Sequence, residues 1–213
     1  MKTLILSAFV ILLAGVASPV KAQSAAPVAG EDYVEISNGT PPDPSSSQVV
    51  VEEFFNYICP ACYGFEPVLV AWAAKLPDYA KLVRVPATFR ADFMQYARAY
   101  YAAEALGLVD KTHAAVYEAI HVTHKLPAEG DKPDDERIAA FYAGFGADKN
   151  EFLSTMKSFG VETKVRRATE RMQRSRVSGT PSLVVNGRYL VRGESFKDRL
   201  EIASYLIEKE HKK

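Results

Sequence analysis

The 213-residue chain has two cysteines, one tryptophan and no surplus of either charge. Each scarcity closes a route. With 26 basic against 26 acidic side chains and no strongly polar arm, the composition argues against nucleic-acid binding. The one basic cluster, residues 164–176, carries Lys164, Arg166, Arg167, Arg171, Arg174 and Arg176 against Glu162 and Glu170. It reads as a solvated, ion-paired helix face. A zinc site usually takes four protein ligands, and there is no second cysteine pair to complete one. His113, His121 and His124 fall on one expected helix and His211 in a basic tail. All four read as packed or surface residues, and no metal is assigned. There are no internal repeats. The N-terminal apolar run, Leu4 to Val16, is about 13 residues, short of the ~20 that cross a bilayer comfortably.

The two cysteines that are present stand together, in Glu53-Phe54-Phe55-Asn56-Tyr57-Ile58-Cys59-Pro60-Ala61-Cys62. Val49 to Ile58 is β-branched and aromatic, the composition of a buried strand. After the motif, Phe65, Val68, Leu69, Trp72 and Leu76 resume at helical spacing. The cysteines therefore fall on the first turn of a helix entered from a strand. Pro60 suits the first helical position, where a missing N–H costs nothing. The unpaired N–H groups and the positive end of the helix dipole would stabilise a thiolate on Cys59.

A structural disulfide here would close only a tiny loop, which stabilises a fold little. A redox-active dithiol needs an accessible, low-pKa thiol beside a resolving one, and a strand-to-helix junction supplies that. Glu53 lies six residues before Cys59, and even spacing on one strand would put both side chains on the same side. There its carboxyl would have a raised pKa and relay a proton to or from Cys62; an ion-paired edge carboxylate is the alternative. Glu66, four residues after Cys62, reaches the same region and ranks below Glu53.

The N-terminus reads as a secretory signal of residues 1–22. Lys2 is the positive start, Leu4 to Val16 the apolar stretch, and Val20-Lys21-Ala22 the cleavage site. An uncleaved membrane anchor is the alternative. Either way the rest of the chain is exported to a compartment where disulfides persist. A dithiol there as the only cysteine pair points to handling the disulfides of other proteins.

Beyond residue 22 the elements come in a definite order. Tyr33 to Ser37 alternates as a strand, and the proline- and serine-rich residues 38–48 form a loop. Then follow the strand Val49 to Ile58, the helix Pro60 to Lys75 and a third strand, Ala80 to Pro86. From Asp92 to Val177 the pattern is helical, with Tyr96, Tyr100 and Tyr101 as core aromatics. A framework returns at Ser178-Gly179-Thr180-Pro181 with a strand, Ser182 to Val185. The Asn186-Gly187 hairpin signal, a return strand and a terminal helix capped by Ser195 complete it. The reading is α/β: residues 23–87 and 178–213 form one unit, interrupted by a helical domain, 88–177, with its own small core.

This order resembles a thioredoxin fold with an inserted helical domain, and two motifs make the resemblance specific. Glu53-Phe54-Phe55 with Cys59-Pro60-x-Cys62-Tyr63-x-Phe65-Glu66, and Gly179-Thr180-Pro181-x-Leu183-x-Val185-Asn186-Gly187-Arg188-Tyr189, are similar to the DsbA family of bacterial periplasmic thiol:disulfide oxidoreductases. The resemblance implies that Cys59 is the exposed nucleophile, Cys62 its buried partner and Pro181 a cis-proline facing them. Thr180 would then offer its backbone to an extended substrate, with Pro60 and Ala61 beside it. It also implies a monomeric periplasmic enzyme that oxidises exported proteins with reduced cysteines. A quinone-linked membrane oxidase of the DsbB type would reoxidise it, and no cofactor is needed.

One position departs from the pattern. Typical members carry histidine where this chain has Ala61, and a methyl group cannot donate a hydrogen bond or charge to a thiolate. A smaller depression of the Cys59 pKa, and hence a weaker oxidant, is expected. A disulfide reductase would use the same residues with opposite poise. An isomerase would need an N-terminal dimerisation domain, for which residues 23–48 are too few. A non-catalytic, chaperone-like binding protein is the remaining alternative.

Overall fold

The computed structural model describes residues 26–39 and 41–213. The expected signal peptide, residues 1–22, lies outside them. The elements are β1 (Tyr33–Glu35), β2 (Val49–Phe55), α1 (Pro60–Ala73), β3 (Ala80–Pro86), α2 (Ala91–Ala105), α3 (Val109–His121), α4 (Asp135–Ala143), α5 (Lys149–Met156), α6 (Phe159–Arg174), β4 (Ser182–Val185), β5 (Tyr189–Val191) and α7 (Phe196–His211). The order is the one read from the sequence. Among the described residues no helix is long and apolar enough to cross a membrane.

The strands form one sheet in the order β1-β5-β4-β2-β3. β2 pairs parallel with β3 and antiparallel with β4. Paired on both edges, β2 is buried along its whole length, which accounts for apolar residues on both of its faces, Val49 to Val51, Phe54 and Phe55, while Glu52 and Glu53 are buried charges within it. Its alternation sends Val49 and Val51 to one face, with Phe65 and Leu69 of α1 and Leu206 of α7. Phe54 faces the other way, into a cluster with the helices between β3 and β4. Asn186 and Gly187 both take positive φ, 51° and 63°, as a primed hairpin turn requires.

Two expectations change here. The helical insertion has no separate core: Phe54, Phe55 and Tyr57 belong to the same apolar cluster as Val116, Tyr117, Ile138 and Phe152. The insertion is thus packed directly against the active-site end of β2. And β2 stops at Phe55, three residues earlier than expected. Asn56 turns the chain there. Its Nδ2 donates to the Ala87 and Phe93 carbonyls, each at 3.0 Å, and its Oδ1 accepts from Ile58 N at 3.3 Å. Side-chain bonds of this kind compete with strand pairing. Glu53 and Cys59 therefore do not share a strand, and the even-spacing argument fails; what relates them is tertiary packing.

Candidate active site

Cys59 closes the turn that Asn56 opens: its N–H donates to the Asn56 carbonyl at 3.1 Å. It is also the N-cap of α1, with Pro60 at the first helical position. Its sulfur accepts from Cys62 N at 3.4 Å, so one orphan N–H of the helix start is spent on the thiol. Both cysteines are free thiols. Cys59 retains 8% of its surface and Cys62 none, so only Cys59 reaches solvent. Pro60 and Ala61 are exposed beside it.

The second motif arrives from the far end of the chain. The Thr180–Pro181 peptide bond is cis, Pro181 is buried, and the Thr180 carbonyl lies 3.4 Å from Cys59 Sγ, from which it accepts when Cys59 is protonated. The Pro181 carbonyl is held in turn by Arg199 Nη1 at 3.1 Å. Residues more than a hundred positions apart thus meet over the dithiol.

The two thiols differ in acidity. A hydrogen bond from the Cys62 thiol lowers Cys59 most; burial opposes this, and bonds from the Thr180 side chain and from the Cys62 and Ala61 backbone add to it, leaving its pKa at about 6. Burial, together with the hydrogen bond to Cys59 and its charge, pushes the Cys62 thiol far up. At neutral pH the pair carries a thiolate on Cys59 and a proton on Cys62. The depression arises without any imidazole at position 61.

Glu53 is fully buried. Burial pushes its pKa up to about 8; Arg84 opposes, while Glu66 and Cys59 push it further up. Arg84 is its register partner across the parallel β2–β3 pair. Arg84 Nε lies 3.3 Å from Glu53 Oε2 without a directed hydrogen bond. Its Nη2 donates to Glu66 Oε1 at 2.6 Å. Although burial favours its protonated form, Glu66 is held below the usual carboxylate range by His113 and Arg84. His113 Nε2 stands 3.3 Å from the same Glu66 oxygen, and His113 Nδ1 meets the Tyr57 hydroxyl at 2.8 Å. The α3 histidine thus closes a line of polar groups, Glu53–Arg84–Glu66–His113–Tyr57, beneath the cysteines.

Sequence reasoning missed Arg84, His113 and Tyr57 in this role. The available signal was a charged residue placed between Val83 and Val85 in an apolar strand, since burial of such a charge demands a partner. His124, by contrast, lies beyond the end of α3 with φ 52°, and its Nδ1 meets the Ile120 carbonyl at 3.1 Å.

Arg84→Met tests the network's energetics. It leaves the Glu66 carboxylate partly buried against His113 alone. Breaking one side of a buried charge pair costs roughly 3–5 kcal/mol, and an unfolding free energy lowered by that amount, with a lower urea midpoint at pH 7, is expected. An unchanged midpoint would mean the network contributes nothing to stability.

Comparison with known proteins gives the family. The family model described as the DSBA-like thioredoxin domain matches residues 69–203. The thiol:disulfide interchange protein DsbA of Pseudomonas aeruginosa is 38% identical over 185 residues, 85% of each chain. That of Pseudomonas syringae pv. tomato is 36% identical over 215 residues, covering 99% of this chain and 96% of its own. The crystal structure of the oxidoreductase DsbA from Xylella fastidiosa superposes with a TM-score of 0.85 at 39% identity, over 89% of this chain and all of that one. A strand-fed Cys-x-x-Cys helix, a facing Thr-cis-Pro and relatives aligned over most of the length lead to one assignment: the chain belongs to the DsbA family of thioredoxin-fold thiol:disulfide oxidoreductases.

Proposed function

We propose that this oxidoreductase works in the periplasm, where it introduces disulfides into exported proteins. The observation that carries this reading is the division of acidity within the dithiol, with Cys59 at about 6 and Cys62 pushed far up. A stabilised Cys59 thiolate favours the reduced enzyme, which makes the oxidised enzyme a good oxidant.

In the proposed cycle the enzyme starts with a Cys59–Cys62 disulfide. A substrate thiolate attacks Cys59 Sγ; a mixed disulfide forms and Cys62 leaves with the electron pair. Cys62 is a poor leaving group unless protonated, and Glu53, held largely as the acid at pH 7, supplies that proton. A second substrate thiolate then attacks the substrate sulfur of the mixed disulfide, and Cys59 leaves as a stabilised thiolate. The substrate loses two electrons and two protons, and the enzyme disulfide becomes a dithiol. The Thr180 backbone pairs with the extended substrate next to Cys59, flanked by Pro181 and the exposed Pro60 and Ala61.

The signal of residues 1–22 directs export. Residues 23–87 and 178–213 form the catalytic unit, and 88–177 the helical unit packed on it. A quinone-linked, DsbB-like membrane oxidase takes the electrons from the reduced pair.

The test mixes stoichiometric oxidised protein with a reduced, unfolded secretory protein. Loss of two substrate thiols for each dithiol gained on the enzyme is expected. Binding without thiol loss would instead identify a non-catalytic holder of unfolded chains.

A further inference from the structure

His113, Tyr117 and His121 recur at four-residue spacing on α3 and so share one face. That face meets the turn leading into the dithiol. The Tyr57 ring is buried against Tyr117, with centroids 5.1 Å apart in an edge arrangement. Its hydroxyl is taken by His113. Its carbonyl lies 2.7 Å from His121 Nε2. A carbonyl can only accept, so Nε2 of His121 carries the hydrogen in this contact. The other surface of the His121 ring stacks on Tyr63, with centroids 5.0 Å apart and planes within 12°.

These contacts bracket the reacting sulfurs. Tyr57 stands two residues before Cys59 and Tyr63 one residue after Cys62. Within the bracket, Cys59 N is bonded to the Asn56 carbonyl, and Cys62 N is shared between the Cys59 carbonyl at 3.1 Å and the Cys59 sulfur at 3.4 Å. A shared N–H is sensitive to small rotations of the turn, because hydrogen bonds weaken steeply as they bend. Pinning the Tyr57 carbonyl removes the most direct of those rotations.

We propose that His121 is a positioning residue for disulfide exchange: from the helical insertion, its Nε2–H holds the Tyr57 carbonyl so that the Cys62 N–H stays directed at the Cys59 sulfur. It touches no substrate and acts only through the turn. The imidazole that steadies the dithiol in this chain therefore comes from α3 and not from within the Cys-x-x-Cys motif. The insertion gains a chemical task beyond covering one face of the sheet. This inference rests on Cys59 being the sulfur that exchanges.

Two variants separate the hydrogen bond from the stacking. His121→Phe keeps an aromatic ring for Tyr63 and loses the N–H. His121→Gln keeps an N–H donor of similar reach and loses the ring. The readouts are the Cys59 thiolate titration by ultraviolet absorbance and the equilibrium constant with glutathione at pH 7, each beside a urea-unfolding curve. For His121→Phe the thiolate midpoint is expected to rise by about one pH unit. The equilibrium then shifts toward the oxidised enzyme by about fivefold at pH 7, and His121→Gln stays close to the parent. Parent-like titration and equilibrium in His121→Phe would overturn the proposal. So would equal shifts in both variants that follow their losses of stability, since that pattern belongs to packing alone. A parent protein that exchanges with glutathione at neither cysteine would refute the functional reading itself, whatever the variants do.

Discussion

Cys59→Ser is expected to abolish disulfide transfer, lowering the rate of thiol oxidation in a reduced substrate to the uncatalysed background. The chain has no third cysteine, and Cys62 cannot take over because none of its surface is accessible. Cys62→Ser should fail differently. Cys59 keeps its sulfur and its place at the helix start, so it still forms mixed disulfides when offered an activated or oxidised substrate. Without Cys62 there is no internal thiol to expel that substrate. The variant is expected to accumulate a covalent complex, stable to denaturant and released by reductant, visible as a mass equal to both partners. Accumulation of the complex in Cys59→Ser instead would reverse the assignment of the two sulfurs.

Glu53→Gln is the second large effect, and it works in opposite directions on stability and rate. The folded-state pKa of Glu53, about 8, lies above its ordinary 4.5. The unfolded chain therefore ionises first as pH rises, and folding stability held below pH 4.5 is lost progressively up to pH 8. Gln keeps the volume and never ionises, so it escapes this loss. With the reduced protein, unfolding in urea should show the variant more stable than the parent by about 4 kcal/mol at pH 8 and nearly equal to it at pH 4.5. Cys59 follows the opposite rule: its folded pKa is lowered to about 6, so its contribution appears as pH rises toward 9 and is present in both proteins. The exchange rate should fall about 100-fold at pH 7, the usual scale for removing a proton carrier. A variant with unchanged turnover would leave the Cys62 proton to another source. One with no gain at pH 8 would mean that Glu53 is ionised in the native protein.

The contrast between these residues shows what could be read from the chain. Cys59, Pro60 and Cys62 are legible because their chemistry is local: a helix start, a proline without an N–H and two nearby sulfurs are all adjacent in sequence. Thr180 and Pro181 were legible only through the resemblance, since nothing in their own neighbourhood says that the Thr180 carbonyl comes within 3.4 Å of Cys59. Arg84 escaped because its pairing with Glu53 is a matter of parallel register, which the order of elements does not specify. His113 and His121 escaped for a related reason. Four-residue spacing says that they share a face, but not that this face meets Tyr57. Asn56 also hid the true end of β2, because its partners, the Ala87 and Phe93 carbonyls, lie beyond β3. The apolar core of the insertion ran on into Phe54 and Phe55 because apolar patterning shows that a face is buried without showing against what.

The measurement that bears most directly on the function is the equilibrium reduction potential of the Cys59–Cys62 pair in glutathione buffers at pH 7. A Cys59 thiol at about 6 favours the reduced form. A potential well above that of thioredoxin, about −270 mV, is the expected result, with each further ~30 mV a tenfold gain in oxidising power. A potential at or below −270 mV would contradict it. The protein would then be a disulfide reductase on a DsbA scaffold, and the alanine at position 61 would be where the difference is sought first.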